Sequence, residues 1–326
     1  MTFQEFTARM TEAVSDLYGD GAEISVQKVS KDNGVTLTGM TIRDKDIDRS
    51  STVIPVVYLE PYYEKIQEGV PIHQLVRMLS ETYEEAKQTG RRMDTSAFLS
   101  YAEAKGRLFC RLTGKEGTED RLARMPHEDW QDLAVTYYVD VPSITGNSGV
   151  VQVTDSLLSH WGISEKTLRA DAWKNTKEQK PMSIQPLGNV LAGMAGIGDH
   201  MDYQSPLYLL SSPDAVFGAI CAAYPEMTET AENTFQRNFY MLPSSVHEFL
   251  LLPDDGSTNA ADLENMVRAI NGTEVDEKDV LSNKVYYCDV KTKEISLASD
   301  HEQKIREKRQ EQTKEALPAV VAAPGL

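Results

Sequence analysis

Residues Phe239–Pro253 read Phe-Tyr-Met-Leu-Pro-Ser-Ser-Val-His-Glu-Phe-Leu-Leu-Leu-Pro, the most apolar long segment of the chain. Its few polar groups all fall between Ser244 and Glu248. The pattern predicts two strand pieces, 239–242 and 246–252, joined through Pro243-Ser244-Ser245. Side chains alternate along a strand, so Val246, Glu248, Leu250 and Leu252 fall on one face and His247, Phe249 and Leu251 on the other. Both faces are otherwise apolar, the pattern of a strand covered on both sides. At least one of His247 and Glu248 is then shielded from water, where it needs a partner.

The rest of the sequence must supply that cover. A hydrophobic fraction of 40% over 326 residues is enough for a sizeable core, in one large domain or two ordinary ones. The net charge of −17 argues against nucleic acid or an anionic membrane as the main partner, since both attract Lys and Arg. Cys110, Cys221 and Cys288 are dispersed and form no CxxC pair, which fits reduced, buried thiols in a cytosolic protein. Glu5, Arg9, Glu12 and Asp16 interrupt the N-terminus, unlike a signal peptide, and no apolar run approaches a membrane span. The expectation is a cytoplasmic protein.

Phe3, Phe6, Met10, Val14 and Leu17 recur at helical spacing and predict an opening helix over 2–18. Strand-like segments then flank Lys31-Asp32-Asn33-Gly34, where Asn-Gly signals a hairpin. A strand over 53–59 leads into a helix over 60–68, and Pro71 opens a longer helix closing near Gly90. Further helices are predicted over 95–105, 155–161, 164–173, 186–194 and 259–270, with strands over 107–113, 133–141 and 207–210. Asp214 is read as opening a long helix through Met227, kinked at Pro225. Residues 285–288 and 294–297 read as a closing hairpin. From Asp300 to Glu315 the chain is almost wholly charged and polar, which predicts a frayed helix and a disordered tail over 300–326. Strands and helices mix without βαβ alternation, so the fold class is α+β, with mixed or antiparallel sheets and packed helices. The expected organisation is an N-terminal lobe over 1–105, a C-terminal lobe over 106–299 holding the central strand, and the charged tail.

Several phrases occur together: Pro55-Val-Val-Tyr-Leu-Glu-Pro-Tyr-Tyr-Glu64, Trp161-Gly-Ile-Ser164, Pro206-Leu-Tyr-Leu-Leu210, Phe217-Gly-Ala219 and Pro243-Ser-Ser-Val-His-Glu248. In combination they resemble an uncharacterised bacterial family, domain of unknown function 5688, seen mostly in anaerobic gut bacteria. The resemblance covers roughly residues 1–300. It implies an intracellular bacterial protein and carries over no catalytic residue.

Ser244, Ser245, His247 and Glu248 include every residue type a hydrolytic site needs, and along a strand Ser245 and His247 share a face. The competing reading ties the serines to local backbone groups at a turn and pairs His247 and Glu248 structurally across the sheet. Asp199 and His200, with His127-Glu128-Asp129 and the His247–Glu248 pair, offer imidazole and oxygen ligands for a metal. Against this, neither HExxH nor a cysteine pair is present, and 127–129 reads as a helix start. Gly193-Met-Ala-Gly196-Ile-Gly198 does not match a dinucleotide fingerprint, and no cofactor is implied. Tyr58, Tyr62 and Tyr63 cluster at one strand-to-helix entry, suited to a binding surface or to the margin of a core. The sequence favours a protein that works by binding another protein. The alternative is a hydrolase or metal-dependent enzyme built around His247 and Glu248. It sets no oligomeric state.

Overall fold

The computed structural model describes residues 1–30, 36–45, 54–91, 96–141, 149–194 and 205–316. The chain forms two compact units, each discontinuous in sequence. The first comprises Met1–Cys110, Gly114–His127 and Thr136–Thr176; the second comprises Arg111–Thr113, Glu128–Val135 and Lys177–Leu326. The architecture is α+β with antiparallel sheets.

Helix α1 (Phe3–Tyr18) opens the first unit. The Thr2 hydroxyl accepts the Glu5 amide, and the Glu5 carboxylate accepts the Thr2 amide in return, a reciprocal cap on two otherwise unpaired donors. The helix buries Phe6, Met10 and Val14 on a three-stranded sheet of β1 (Ala22–Ser30), β2 (Thr36–Asp44) and β3 (Val57–Tyr58). Strands β1 and β2 pair from Ala22↔Asp44 to Ser30↔Thr36, as the hairpin signal predicts. The Asn33-Gly34 turn itself lies outside the described residues. Helices α2 (Glu60–Gln67) and α3 (Ile72–Arg91) complete this core with Tyr62, Leu75, Leu79 and Tyr83.

Two short helices, α4 (Ser96–Leu99) and α5 (Tyr101–Ala104), precede β4 (Leu108–Gly114). Helix α6 (Glu119–Leu122) follows, then β5 (His127–Trp130), β6 (Leu133–Val141) and β7 (Gly149–Gln152). Residues 127–129 are therefore strand rather than a helix start. Gln131, at φ 55°, turns the chain from β5 straight into β6. Helices α7 (Asp155–Trp161) and α8 (Glu165–Gln179) follow, the second with the Ser164 hydroxyl accepting the Thr167 amide.

The second unit is built on a six-stranded sheet. Its pieces are β8 (Ser183–Pro186), α9 (Leu187–Met194), β9 (Tyr208–Ser211), α10 (Met227–Phe235), β10 (Phe239–Ser245) and β11 (Glu248–Pro253). Helix α11 (Ala260–Thr273), β12 (Tyr286–Asp289), β13 (Glu294–Leu297) and α12 (Ala298–Ala316) close it. Strand order is β13-β12-β10-β11-β9-β8, so the apolar segment lies at the centre, as its two-faced pattern requires. Tyr240, Leu242, Leu250 and Leu252 meet Leu263 and Val267 of α11 on one face. On the other, Phe249 and Tyr286 meet the Trp130 ring at 6.2 and 5.2 Å, and Phe239 meets Phe235 of α10.

Strand β10 runs through Pro243 to Ser245, and Val246-His247 form the turn before β11. Ser245 pairs with Glu248, so Ser245 and His247 do not share a strand face. The long helix from Asp214 is replaced by a loop, a 3-10 turn over Gly218–Ala223, and α10. Ala215 (φ 51°) and Phe217 (φ 53°) take the left-handed conformation, which cannot continue a right-handed helix. The charged tail forms α12 as far as Ala316, beyond which the chain lies outside the described residues. Among the described residues no helix is long and apolar enough to cross a membrane.

Candidate functional site

The turn between β10 and β11 gathers the polar residues singled out from the sequence. Ser245, buried at the end of β10, donates its hydroxyl to Glu248 Oε1 (3.0 Å) and accepts the His247 amide (3.0 Å). The hydroxyl thus braces the turn and makes no bond to the imidazole. Ser244 is half-buried on the same strand.

His247 faces the loop after β9. Its Nδ1 accepts the Phe217 amide at 3.0 Å, and its Nε2 lies 3.8 Å from Asp279 Oδ1. An Nδ1 that accepts a backbone N–H leaves the neutral ring's proton on Nε2. Neither nitrogen then offers a free lone pair. The imidazole stacks on the Phe217 ring (5.3 Å, 22°), and the Arg111 guanidinium lies 3.6 Å from the centre of that ring. The His247 carbonyl accepts the Ser211 hydroxyl (2.8 Å), and the Asp279 carbonyl accepts the Val246 amide (2.8 Å).

The loop is pinned from a second side. The buried Lys180 ammonium donates to Asp214 Oδ2 (2.8 Å) and to the Val216 carbonyl (2.6 Å), while the Ser212 hydroxyl donates to Asp214 Oδ1 (2.5 Å). Partial burial pushes the Asp214 carboxyl up, but the bonds from Lys180 and Ser212 outweigh it and hold it below the usual range. Gly218 is required here: a Cβ would sit 2.5 Å from the Ser212 nitrogen and 2.8 Å from the His247 carbonyl oxygen. Phe217, Asp279, Lys180 and Arg111 escape the sequence reading because they come from four separate stretches. The one local signal is Ser211-Ser212-Pro213-Asp214, whose composition marks a turn.

Tyr62 and Tyr63 pack in the first unit's core, whereas Tyr58 lies opposite Gly39 on the other face of the sheet. Tyr62 is buried and donates to the Thr82 hydroxyl (3.0 Å); Tyr63 donates to the Met1 carbonyl (3.0 Å) and packs edge-on against Phe3 (5.1 Å). Tyr58 is half-buried on β3. His127 Nδ1 bonds the Met125 carbonyl, and Asp199 and His200 lie outside the described residues. Among the described residues no three His, Cys, Asp or Glu side chains gather as a metal site would require.

A different feature of the first unit is the free edge of its sheet. The Gly21 carbonyl accepts the Lys45 amide, so the odd-numbered residues of β1 turn their backbone groups toward β2. The opposite strand agrees: the Thr38 amide and carbonyl bond Glu60 and Leu59, away from β1. Ile24, Val26 and Lys28 therefore direct three N–H and three C=O groups outward, and among the described residues no group bonds them. Other edges are closed or short. The Cys110 amide and Leu108 carbonyl of β4 are bonded by Thr176 and Asn175 of α8. The Ile295 carbonyl of β13 accepts Gln131, and β8 is four residues ending in Pro186.

The chain belongs to the family of unknown function DUF5688. The family model matches residues 3–289, so the DUF5688 portion contains β1, the His247 turn and Asp279, while β13 and α12 follow it. No curated protein and no solved structure matches the chain.

Proposed function

We propose that this protein works in the bacterial cytoplasm by binding protein, taking an extended segment of its partner as a further strand beside β1. The observation that carries the reading is the nine-residue open edge, with the outward backbone of Ile24, Val26 and Lys28. Exposed edges of this length are normally blocked by bulges, proline or covering elements, because unpaired groups recruit another strand. The half-buried Ile24 and Val26 already pack on the α1 core, so an added strand extends an existing apolar face. Three buried free cysteines support a reducing compartment, and the family resemblance supports a bacterial source.

The test is retention of a partner by the full chain and by Val26→Pro. That change removes one outward N–H and no bond to β2, and edge strands accept proline where the N–H faces solvent. A partner held by wild type and lost by a folded Val26→Pro supports the reading; equal retention by both refutes it. A second reading, a hydrolase or metal-dependent enzyme around His247 and Glu248, draws on the two carboxylates Glu248 and Asp279 beside the imidazole turn. It predicts a turnover that His247→Asn abolishes without unfolding the chain.

A further inference from the structure

We infer that the strand received by β1 is the β1 of a second copy, paired antiparallel about a two-fold axis through Val26. This rests on the reading of β1 as the docking edge and names its occupant. Only even-numbered residues face outward, so the axis must bring even against even. Centred on Val26, it pairs Val26 with Val26 of the other copy and Ile24 with Lys28 in both directions. Ile24, Val26 and Lys28 of each copy then exchange both N–H and C=O, as alternate antiparallel pairs do, and Ala22, whose amide is already held by the Gly19 carbonyl, faces Ser30 at each end. A shift of two residues either way leaves an outward residue at one end facing the strand terminus.

The side chains agree with the backbone. On the α1 face Val26 meets Val26, and Ile24 meets the aliphatic stem of Lys28, whose ammonium donates to the Thr38 hydroxyl at 2.9 Å. On the opposite face Ser25 meets Gln27 and Glu23 meets Val29, so no like charges oppose each other. The three-stranded sheet becomes one of six antiparallel strands, within the size range of independently stable sheets. The net charge of −17 per copy opposes association at long range, but beyond roughly 8 Å it is screened at physiological salt.

The experiment is the solution mass of the full chain by light scattering across concentration and salt, for wild type and Val26→Pro. Wild type is expected at twice 36.4 kDa, tightening as salt rises. Val26→Pro loses two bonds across the axis and associates roughly tenfold or more weakly. A second variant covers misfolding of the proline chain. Ser25→Cys with Gln27→Cys places thiols on a directly opposed, non-hydrogen-bonded pair about 4.5 Å apart at Cα, within disulfide reach. It is expected to give a covalent dimer under oxidation, whereas Glu23→Cys alone does not. The native cysteines are buried and stay out of the reaction. A wild type that is monomeric at every concentration, or a dimer untouched by Val26→Pro and not cross-linked by the paired cysteines, overturns the inference. A monomer that still retains another protein through Val26 overturns the second copy alone and leaves the docking reading standing.

Discussion

Replacing His247 by alanine removes the acceptor of the Phe217 amide and the ring stacked on Phe217. Stranding a partly buried N–H costs about 1–3 kcal/mol, and an aromatic contact contributes about 0.5–1.5 kcal/mol. The His247 side chain is 30% exposed, so water reaches part of the vacated site and the lower half of each range applies. The sum is a loss of about 1.5–3 kcal/mol. His247→Asn separates the two contributions, because its side-chain oxygen falls near the position of Nδ1 and can accept the same amide. Urea unfolding of wild type, His247→Ala and His247→Asn is expected to rank them in the order wild type, Asn, Ala, with asparagine recovering about 1 kcal/mol. Equal losses for the two variants, or an alanine variant within about 0.5 kcal/mol of wild type, would refute the assignment of His247 as an acceptor that holds the loop.

The remaining expectations concern the same unit. Gly218→Ala forces a Cβ against backbone atoms at 2.5 and 2.8 Å and is expected to cost about 1–3 kcal/mol, read from the urea midpoint. Burial pushes the Cys221 thiol to about 12 and the Cys288 thiol to about 11, so neither is expected to react with a thiol reagent at pH 8 until the chain unfolds; rapid labelling of the native protein would contradict this. Burial, then the charges of Asp254 and Glu302, raise Tyr240 to about 12. Its stabilising contribution is complete below the unfolded tyrosine value near 10 and is lost as pH rises toward 12, so ultraviolet titration should show alkaline unfolding in step with its ionisation. Asp214 is depressed, so its contribution is present above the unfolded carboxylate value and lost as pH falls through the folded one. Asp214→Asn is expected to flatten that part of the acid limb.

The segment Phe239–Pro253 placed the centre of the second sheet from sequence because a strand buried on both faces needs apolar residues at consecutive positions. The opening helix, the β1–β2 pairing, α11 and the β12–β13 hairpin were legible for similar reasons: each rests on local periodicity or a local turn signal. The loop over Ser211–Phe217 was not. Its left-handed residues are alanine and phenylalanine, which carry no turn signal of their own, and Lys180, Arg111 and His247 fix them from distant parts of the chain. The polar cluster was found by composition, yet its geometry hinged on the two-residue turn Val246-His247. The open edge of β1 was invisible because pairing partners, not residue types, decide which strand is an edge.

Residue-resolved amide exchange along β1 of the full chain, followed from high concentration to dilute solution, tests the docking claim most directly. With a strand in place, the Ile24, Val26 and Lys28 amides exchange as slowly as those of Glu23, Ser25, Gln27 and Val29, and on dilution the three even-numbered amides alone lose protection. If those three exchange freely at every concentration and with every retained partner, while their odd-numbered neighbours stay protected, β1 docks nothing and the account fails.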